Sequence, residues 1–482
     1  MLHFLYLYSV AMGTASGKGG RIRAWGLEFD WTPEHLTAEE MRPLMFSYDA
    51  LATECLNRFD ELVPSLPLRP ARKTSKPAEA SSEKGCPHPD FYELLKQHAP
   101  DDPTLQRLWA EVNTVPDWVD WDQIERGQKV FYRYAGPSIV SLTFHALLGG
   151  MGSRRIVETL SRTGGFGVRV ARRRLLETFQ HVLDVTESLE SIQPGGSGFA
   201  STLRVRLLHA SVRRRLLRLA EKDPDYFDVA TFGIPISDLD SIGTVLTFSA
   251  DLIWVGFPRQ GIFLRDDEIA DYTALWRYVA YLLGTPTTHL TTPTLAKAMM
   301  ESLILSEINP SETSSILANN IIAGLQGQPP TYASADFLRA EAHWLNGREL
   351  ADRLKIPRPP FFYTVLVAGQ CLFFMAMCYL RRSIPAWDGA GIVRMRHLLR
   401  KVTLEQVGGE EATHAFQYVP QLGQVTGAEE HEKRRSGIWP WENGGVERRN
   451  LMAVMVAACV AWLCAWKALA AAAHVSSLFS SV

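Results

Sequence analysis

Cysteine is scarce and scattered. The six cysteines, Cys55, Cys86, Cys371, Cys378, Cys459 and Cys464, form no CxxC pair and no cysteine–histidine cluster with zinc spacing. That leaves no sequence grounds for a disulfide framework or a structural zinc site, and it fits a reducing, cytosol-facing environment. Charge of one sign is lacking too: the formal net charge is −2 over 482 residues, so no basic field invites nucleic acid. Alternating apolar and polar runs are nearly absent, which argues against a β-rich architecture. No GxGxxG follows a strand. The phosphate-like string Gly13-Thr14-Ala15-Ser16-Gly17-Lys18 is one residue short of P-loop spacing, with Gly19 where a magnesium-binding hydroxyl belongs. Glu411-Ala412-Thr413-His414 is a single Glu-x-x-His, whereas a di-iron bundle needs two and further glutamates.

What is present is helical spacing. With 46% apolar and 21% charged residues, the chain has the composition of a globular protein with a sizeable core. From Trp121 onward apolar residues recur at 3.6-residue intervals, punctuated by Gly149-Gly150, Gly164-Gly165, Pro194-Gly195-Gly196 and Gly284-Thr285-Pro286, as glycine and proline end helices. Ser237 with Asp240 reads as a capping box, and Asp266-Asp267 puts acid at a helix start. The expectation is an all-α protein, one large multi-helix bundle with a C-terminal hydrophobic helix. Its parts are an N-terminal extension over 1–115 with a disordered linker at 67–89, a many-helix domain over 116–400, a polar linker over 401–450, and a transmembrane helix over 451–473.

Two segments are long and apolar enough for a bilayer, which takes about 20 residues. Phe361 to Leu380 has Gln370 as its one strongly polar member and is closed by Arg381-Arg382; a fully buried core helix is the competing reading. Leu451 to Ala473 is interrupted by Lys467 alone and is preceded by Lys433, Arg434, Arg435, Arg448 and Arg449. That charge asymmetry places the bulk of the protein in the cytosol, as for a tail anchor. Met1 to Gly13 lacks the basic start and full apolar stretch of a signal peptide.

The chemistry-bearing residues concentrate between Gly152 and Arg215. On a helix expected over 168–192, Arg174, Glu177 and Thr178 stand at i, i+3 and i+4 and share a face. On the next, expected over 200–221, Arg206, His209 and Arg213 do the same, so an imidazole stands between two guanidinium groups suited to carboxylates such as haem propionates. Imidazole is a common haem-iron ligand, and Leu203, Leu207, Leu208 and Val212 offer it an apolar wall. By residue type alone, a satisfied core histidine stays the simpler reading.

The string LRVRLLHASVRR (Leu203 to Arg214) resembles the haem-ligand signature of the rubber-oxygenase (latex-clearing protein) and MpaB catalytic domain, with His209 in the proximal position. RRRLLETF (Arg172 to Phe179) is similar to that family's distal helix, and Glu158, 16 residues before Arg174, stands where the family places a glutamate base. ISDLDSIGTVLTFS (Ile236 to Ser249), DYTALWRYVAYLLGTP (Asp271 to Pro286) and RELADRLKIPRPP (Arg348 to Pro360) extend the likeness over roughly 115–400. Two departures stand out: Glu177 replaces the lysine that can cap the iron, and Ser237-Asp238 replaces Asn-Gln.

The resemblance implies a globin-like haem-binding helical core and a membrane-associated haem b oxygenase that cleaves or oxidises a double bond of a hydrophobic isoprenoid substrate with O2. It implies His209 on the iron, Arg206 and Arg213 orienting propionates, Arg174 and Thr178 polarising oxygen, and Glu158 as base. It also implies an endoplasmic-reticulum membrane with the catalytic domain toward the cytosol. Glu177 is expected to be solvated. Two other readings remain open: a catalytically silent, membrane-anchored haem- or lipid-binding protein, and another haem oxidoreductase such as a peroxidase.

Overall fold

The computed structural model describes residues 20–62, 90–163, 166–407 and isolated positions between 446 and 467. Apart from one antiparallel hairpin, β1 (Arg21–Ala24) with β2 (Leu27–Asp30), the described elements are helices. The hairpin loop is Trp25-Gly26, both with positive φ (51° and 76°), as a tight two-residue turn that matches strand twist requires. Helices begin where side chains supply the missing acceptors: Asp90, Asp102, Asp120, Ser188 and Ser237 each cap the turn that follows. The Ser237 and Asp240 box forms as expected, and Asp266 opens helix Asp266–Leu282. The helix expected over 168–192 is broken at Ser188 into Val168–Thr186 and Leu189–Ile192, and the next runs Ser197–Lys222.

One apolar core runs from Met41 through Leu56, Phe59, Leu108, Leu203, Leu207 and Trp276 to Leu399. Segments 41–62 and 90–112 of the expected N-terminal extension therefore contribute to the core of the bundle. Arg206 meets Asp49 and Glu111 there, and His35 Nε2 lies 2.9 Å from Glu301. A second core gathers Phe144, Leu148, Leu317, Ile321 and Leu345. The linker expected at 67–89, the glycine-rich string 13–18 and Glu411 to His414 lie outside the described residues, as does nearly all of 451–473. Cys55, Cys371 and Cys378 are free thiols.

Helix Phe361–Ser383 passes the length and hydropathy test for a span, yet it is neither fully buried nor free. Tyr363, Val367, Cys371 and Cys378 pack inward along its whole length. Gln370 donates to Glu341, Tyr379 Oη donates to the Gly261 carbonyl at 3.0 Å, and Arg382 Nη1 donates to Tyr134 Oη at 2.9 Å. The opposite side bares Phe361, Val365, Leu372, Phe373 and Leu380, each more than half exposed.

Candidate functional site

Helices Val168–Thr186 and Ser197–Lys222 form an antiparallel pair. Gly198 packs against the backbone of Asp184 and Val185, where a Cβ would lie 2.5 Å from the Asp184 carbonyl oxygen, and His181 Nδ1 lies 3.1 Å from Ser201 Oγ. Seven residues back along one helix and seven forward along the other, that register brings Arg174 level with Leu208 and Thr178 level with Arg204 and Val205. Arg174, Thr178 and His209 are thus brought to the same stretch of the pair.

His209 has no hydrogen-bond partner among the described residues, and its ring nitrogens are not sealed off. Burial, reinforced by the Arg213 charge, pushes its pKa down to about 4. The imidazole is therefore neutral at physiological pH, with a lone pair available. Its neighbours Val205 and Leu208 are likewise only half-buried, whereas Leu203, Leu207, Ala210 and Leu216 are packed into the core.

The two flanking arginines differ. Arg206, 3% exposed, donates from Nε to Asp49 at 2.7 Å and from Nη1 to Glu111 at 2.9 Å. Burial opposes its charge, but the two carboxylates outweigh it and its pKa rises. Gly284, at φ +70°, makes room for this cluster: a Cβ there would lie 2.6 Å from both Arg206 Nε and Asp49 Oδ2. Arg206 is therefore taken up inside the protein, contrary to the expectation that it faces a propionate. Arg213 is equally buried, yet all its acceptors are neutral: the Ile236 carbonyl at 2.8 Å, the Asp49 carbonyl at 3.2 Å and Thr53 Oγ1 at 3.3 Å. It lies 4.9 Å over the Tyr48 ring, and burial lowers its pKa. No carboxylate lies within ion-pair distance of it among the described residues. Ile236, which holds it, is a β-branched residue at φ 55°, a conformation that costs energy and persists only under constraint.

On the other helix, Arg174 Nη1 meets Glu177 Oε2 at 3.2 Å and Arg173 Nε meets its Oε1 at 2.8 Å. Glu177 is therefore buried and doubly paired, not solvated as expected. Thr178 is exposed. Glu158 pairs with Arg162, one turn along its own helix. Among the described residues no hydrogen bond or ion pair joins Glu158 to Arg174, Thr178 or His209. Ser237, in the Asn-Gln position, is buried as a helix cap. Glu177 departs from expectation because a carboxylate between two arginines makes its own shelter.

The family model described as ER-bound oxygenase mpaB/B'/Rubber oxygenase, catalytic domain, matches residues 132–371, a span that contains every one of these side chains but those of the N-terminal helices. Residues 132–371 belong to this oxygenase family. The solved structure of latex clearing protein LCP in the closed state has a similar fold, with a TM-score of 0.53 at 16% identity over 80% of this chain and 95% of that one. Aurantioclavine synthase cnsA of Penicillium expansum is 53% identical over 32 residues, a stretch that covers 7% of each chain. The chain is thus an all-α protein with an oxygenase domain. Among the described residues no group of three His, Cys, Asp or Glu side chains is placed to hold a bare metal ion.

Proposed function

We propose that the oxygenase domain works with haem b, held by His209, on a hydrophobic isoprenoid substrate at a membrane surface. The observation that carries this is the His209 imidazole: half-buried, neutral, without a hydrogen-bond partner among the described residues, and with open ring nitrogens. A neutral imidazole with an accessible lone pair is what a haem iron needs. The residues present fit the group. His209 would hold the iron, and Arg213, a buried cation with no carboxylate, would meet a propionate. When bound, haem supplies the activation of O2. The protein's own residues do the rest: Arg174 and Thr178 present a guanidinium and a hydroxyl from the facing helix, and Val205 and Leu208 give the imidazole an apolar flank. Arg174 is oriented by Glu177, which replaces a capping lysine with an anchor for the arginine. Glu158 takes a substrate proton only once its carboxylate parts from Arg162.

The exposed side of helix Phe361–Ser383 supports the membrane half of the reading in a specific form. Its inward side is bonded to the bundle from Tyr363 to Arg382, so the helix lies along a membrane surface with its bare face toward the acyl chains and does not cross alone. The endoplasmic reticulum with the domain toward the cytosol is the setting we propose.

His209→Ala should remove the Soret band of the purified protein, with secondary structure retained by circular dichroism. Full haem content in that variant would overturn the assignment. A second reading, a haem protein without turnover, is favoured by the Glu158 pairing with Arg162. Oxygen uptake with a prenylated phenol or polyprene separates the two.

A further inference from the structure

A second polar cluster lies in a cavity to which neither the His209 helix nor its partner helix contributes. It holds about 100 Å3 and is walled mainly by apolar residues, among them Leu246, Met300 and Leu303. His145 and Asp251 face into it. His145 Nδ1 lies 3.1 Å from Asn346 Oδ1, and the amide of Asn346 is oriented by donating to the Phe144 carbonyl at 2.7 Å and the Ala342 carbonyl at 2.9 Å. Asn346 Oδ1 is therefore an acceptor, the ring proton is on Nδ1, and Nε2 carries a lone pair. That Nε2 is buried without a partner, and so is Asp251 Oδ1; His145 Nε2 and Asp251 Oδ2 are 4.0 Å apart. Burial, with Arg259 adding to it, pushes the His145 pKa down to about 3, and burial pushes that of Asp251 up to about 7. One group is a bare acceptor and the other is ready to donate.

Orphaned buried polar atoms cost about 1–3 kcal/mol each, so two of them side by side call for a ligand. The surrounding backbone is irregular in the same place. His145 is in a π-helical stretch, Ser141–Leu148, and Asp251 immediately precedes another, Leu252–Gly256; such turns recur at functional sites. Trp25, which also lines the cavity, is held in the left-handed region. Arg259 does not make this an anion site, because its Nη1 donates to the Leu345 carbonyl and its Nη2 to the Trp25 carbonyl at 3.3 Å. The other guanidinium at the cavity wall, Arg155, is already paired with Asp240 and Glu307. The volume exceeds what one water fills, and apolar cavities of this order hold small organic molecules.

We propose that this cavity is a second ligand site, taking an uncharged and mostly apolar molecule through one hydroxyl group that donates to His145 Nε2 and accepts from Asp251. It does not depend on haem at His209.

The test is fluorine NMR of the purified full-length protein with 4,4,4-trifluorobutan-1-ol as the probe. Wild type and His209→Ala should broaden the signal saturably and alike, and 4,4,4-trifluorobutyrate should not compete. Gly243 lines the cavity, and a Cβ there makes only ordinary contact, 3.6 Å from Leu303 Cδ1. Gly243→Leu should fill the space and weaken binding at least tenfold. Asp251→Leu keeps the volume, removes the donor and should do the same, which secures the test if Gly243→Leu does not fold. Binding that survives Asp251→Leu, the absence of saturable binding, or its loss in His209→Ala would each overturn the proposal, the second meaning that the cavity holds water only.

Discussion

Arg206→Met separates a structural arginine from a cofactor-binding one. In the fold the guanidinium is buried with Asp49, whose side chain is 10% exposed, and touches Glu111, which is 39% exposed. Removing one member of a buried pair strands the other charge, which costs about 3–5 kcal/mol. The half-exposed Glu111 contact adds only about 0–1 kcal/mol. Methionine retains much of the side-chain volume, so the cavity contribution is small, and a loss of about 3 kcal/mol is expected in haem-free protein. Urea unfolding of Arg206→Met, Asp49→Asn and the double variant closes a cycle whose coupling should be about 2–3 kcal/mol, since the double variant leaves no stranded charge. A coupling below about 0.5 kcal/mol, within the ordinary error of additivity, would refute the reasoning. So would an Arg206→Met protein of unchanged stability that has lost haem, because that would place the guanidinium on the cofactor. Arg213→Met should show the reverse: haem affinity falls, with no acidic partner whose removal rescues it.

Gly284→Ala should destabilise by about 2 kcal/mol or more in the same urea assay, because its Cβ would enter the Arg206–Asp49 pair from a backbone at φ +70°. The Asp251 carboxyl is raised from 3.8 to about 7 by burial, so between those values the unfolded state ionises first and stability falls as pH rises, by up to a few kcal/mol. Asp251→Asn should abolish that fall and leave the variant more stable than wild type at pH 8. Equal pH–stability profiles would show Asp251 to be ionised in the fold throughout. Phe373→Glu, at a position 60% exposed, should lower co-sedimentation with phospholipid vesicles several-fold with an unchanged melting temperature; if unaltered, the face is not the one that meets lipid.

Residues that act along one helix are legible in the amino-acid order itself. The helix carrying His209, the capping box at Ser237 and the Arg174–Glu177 contact all follow from i, i+3 and i+4 spacing and from the chemistry of the first turn. What stands opposite a helix face is another matter. Arg206 is expected to face a propionate because it shares a side with His209, but its partners are Asp49, 157 positions earlier, and Glu111, 95 positions earlier. Nothing in the local pattern points across that distance. For the same reason a segment set apart as an N-terminal extension proves to be core: Leu56, Phe59 and Leu108 are apolar at helical spacing, but the surface they bury against lies beyond the polar stretch 67–89.

His145 shows the limit most sharply. A lone histidine in the run LTFHALL carries no motif, and its significance comes from Asn346 fixing its tautomer and Asp251 leaving an atom open beside it, both distant in sequence. The two histidines differ in a way that burial alone does not explain. Each is kept neutral, with a pKa lowered to about 3 or about 4. His145, however, is tied by Nδ1 into a rigid amide network and offers one defined lone pair. His209 is tied to nothing, so either of its nitrogens is available and its ring orientation is left for a ligand to set. A free imidazole suits a large cofactor that brings its own geometry, whereas a pre-fixed one suits a small molecule that brings a single hydrogen bond. On that argument one bundle holds two sites of different kind, and a ligand series that treats them alike, with both variants losing the same compound, would be incompatible with the side-chain bonding seen at each.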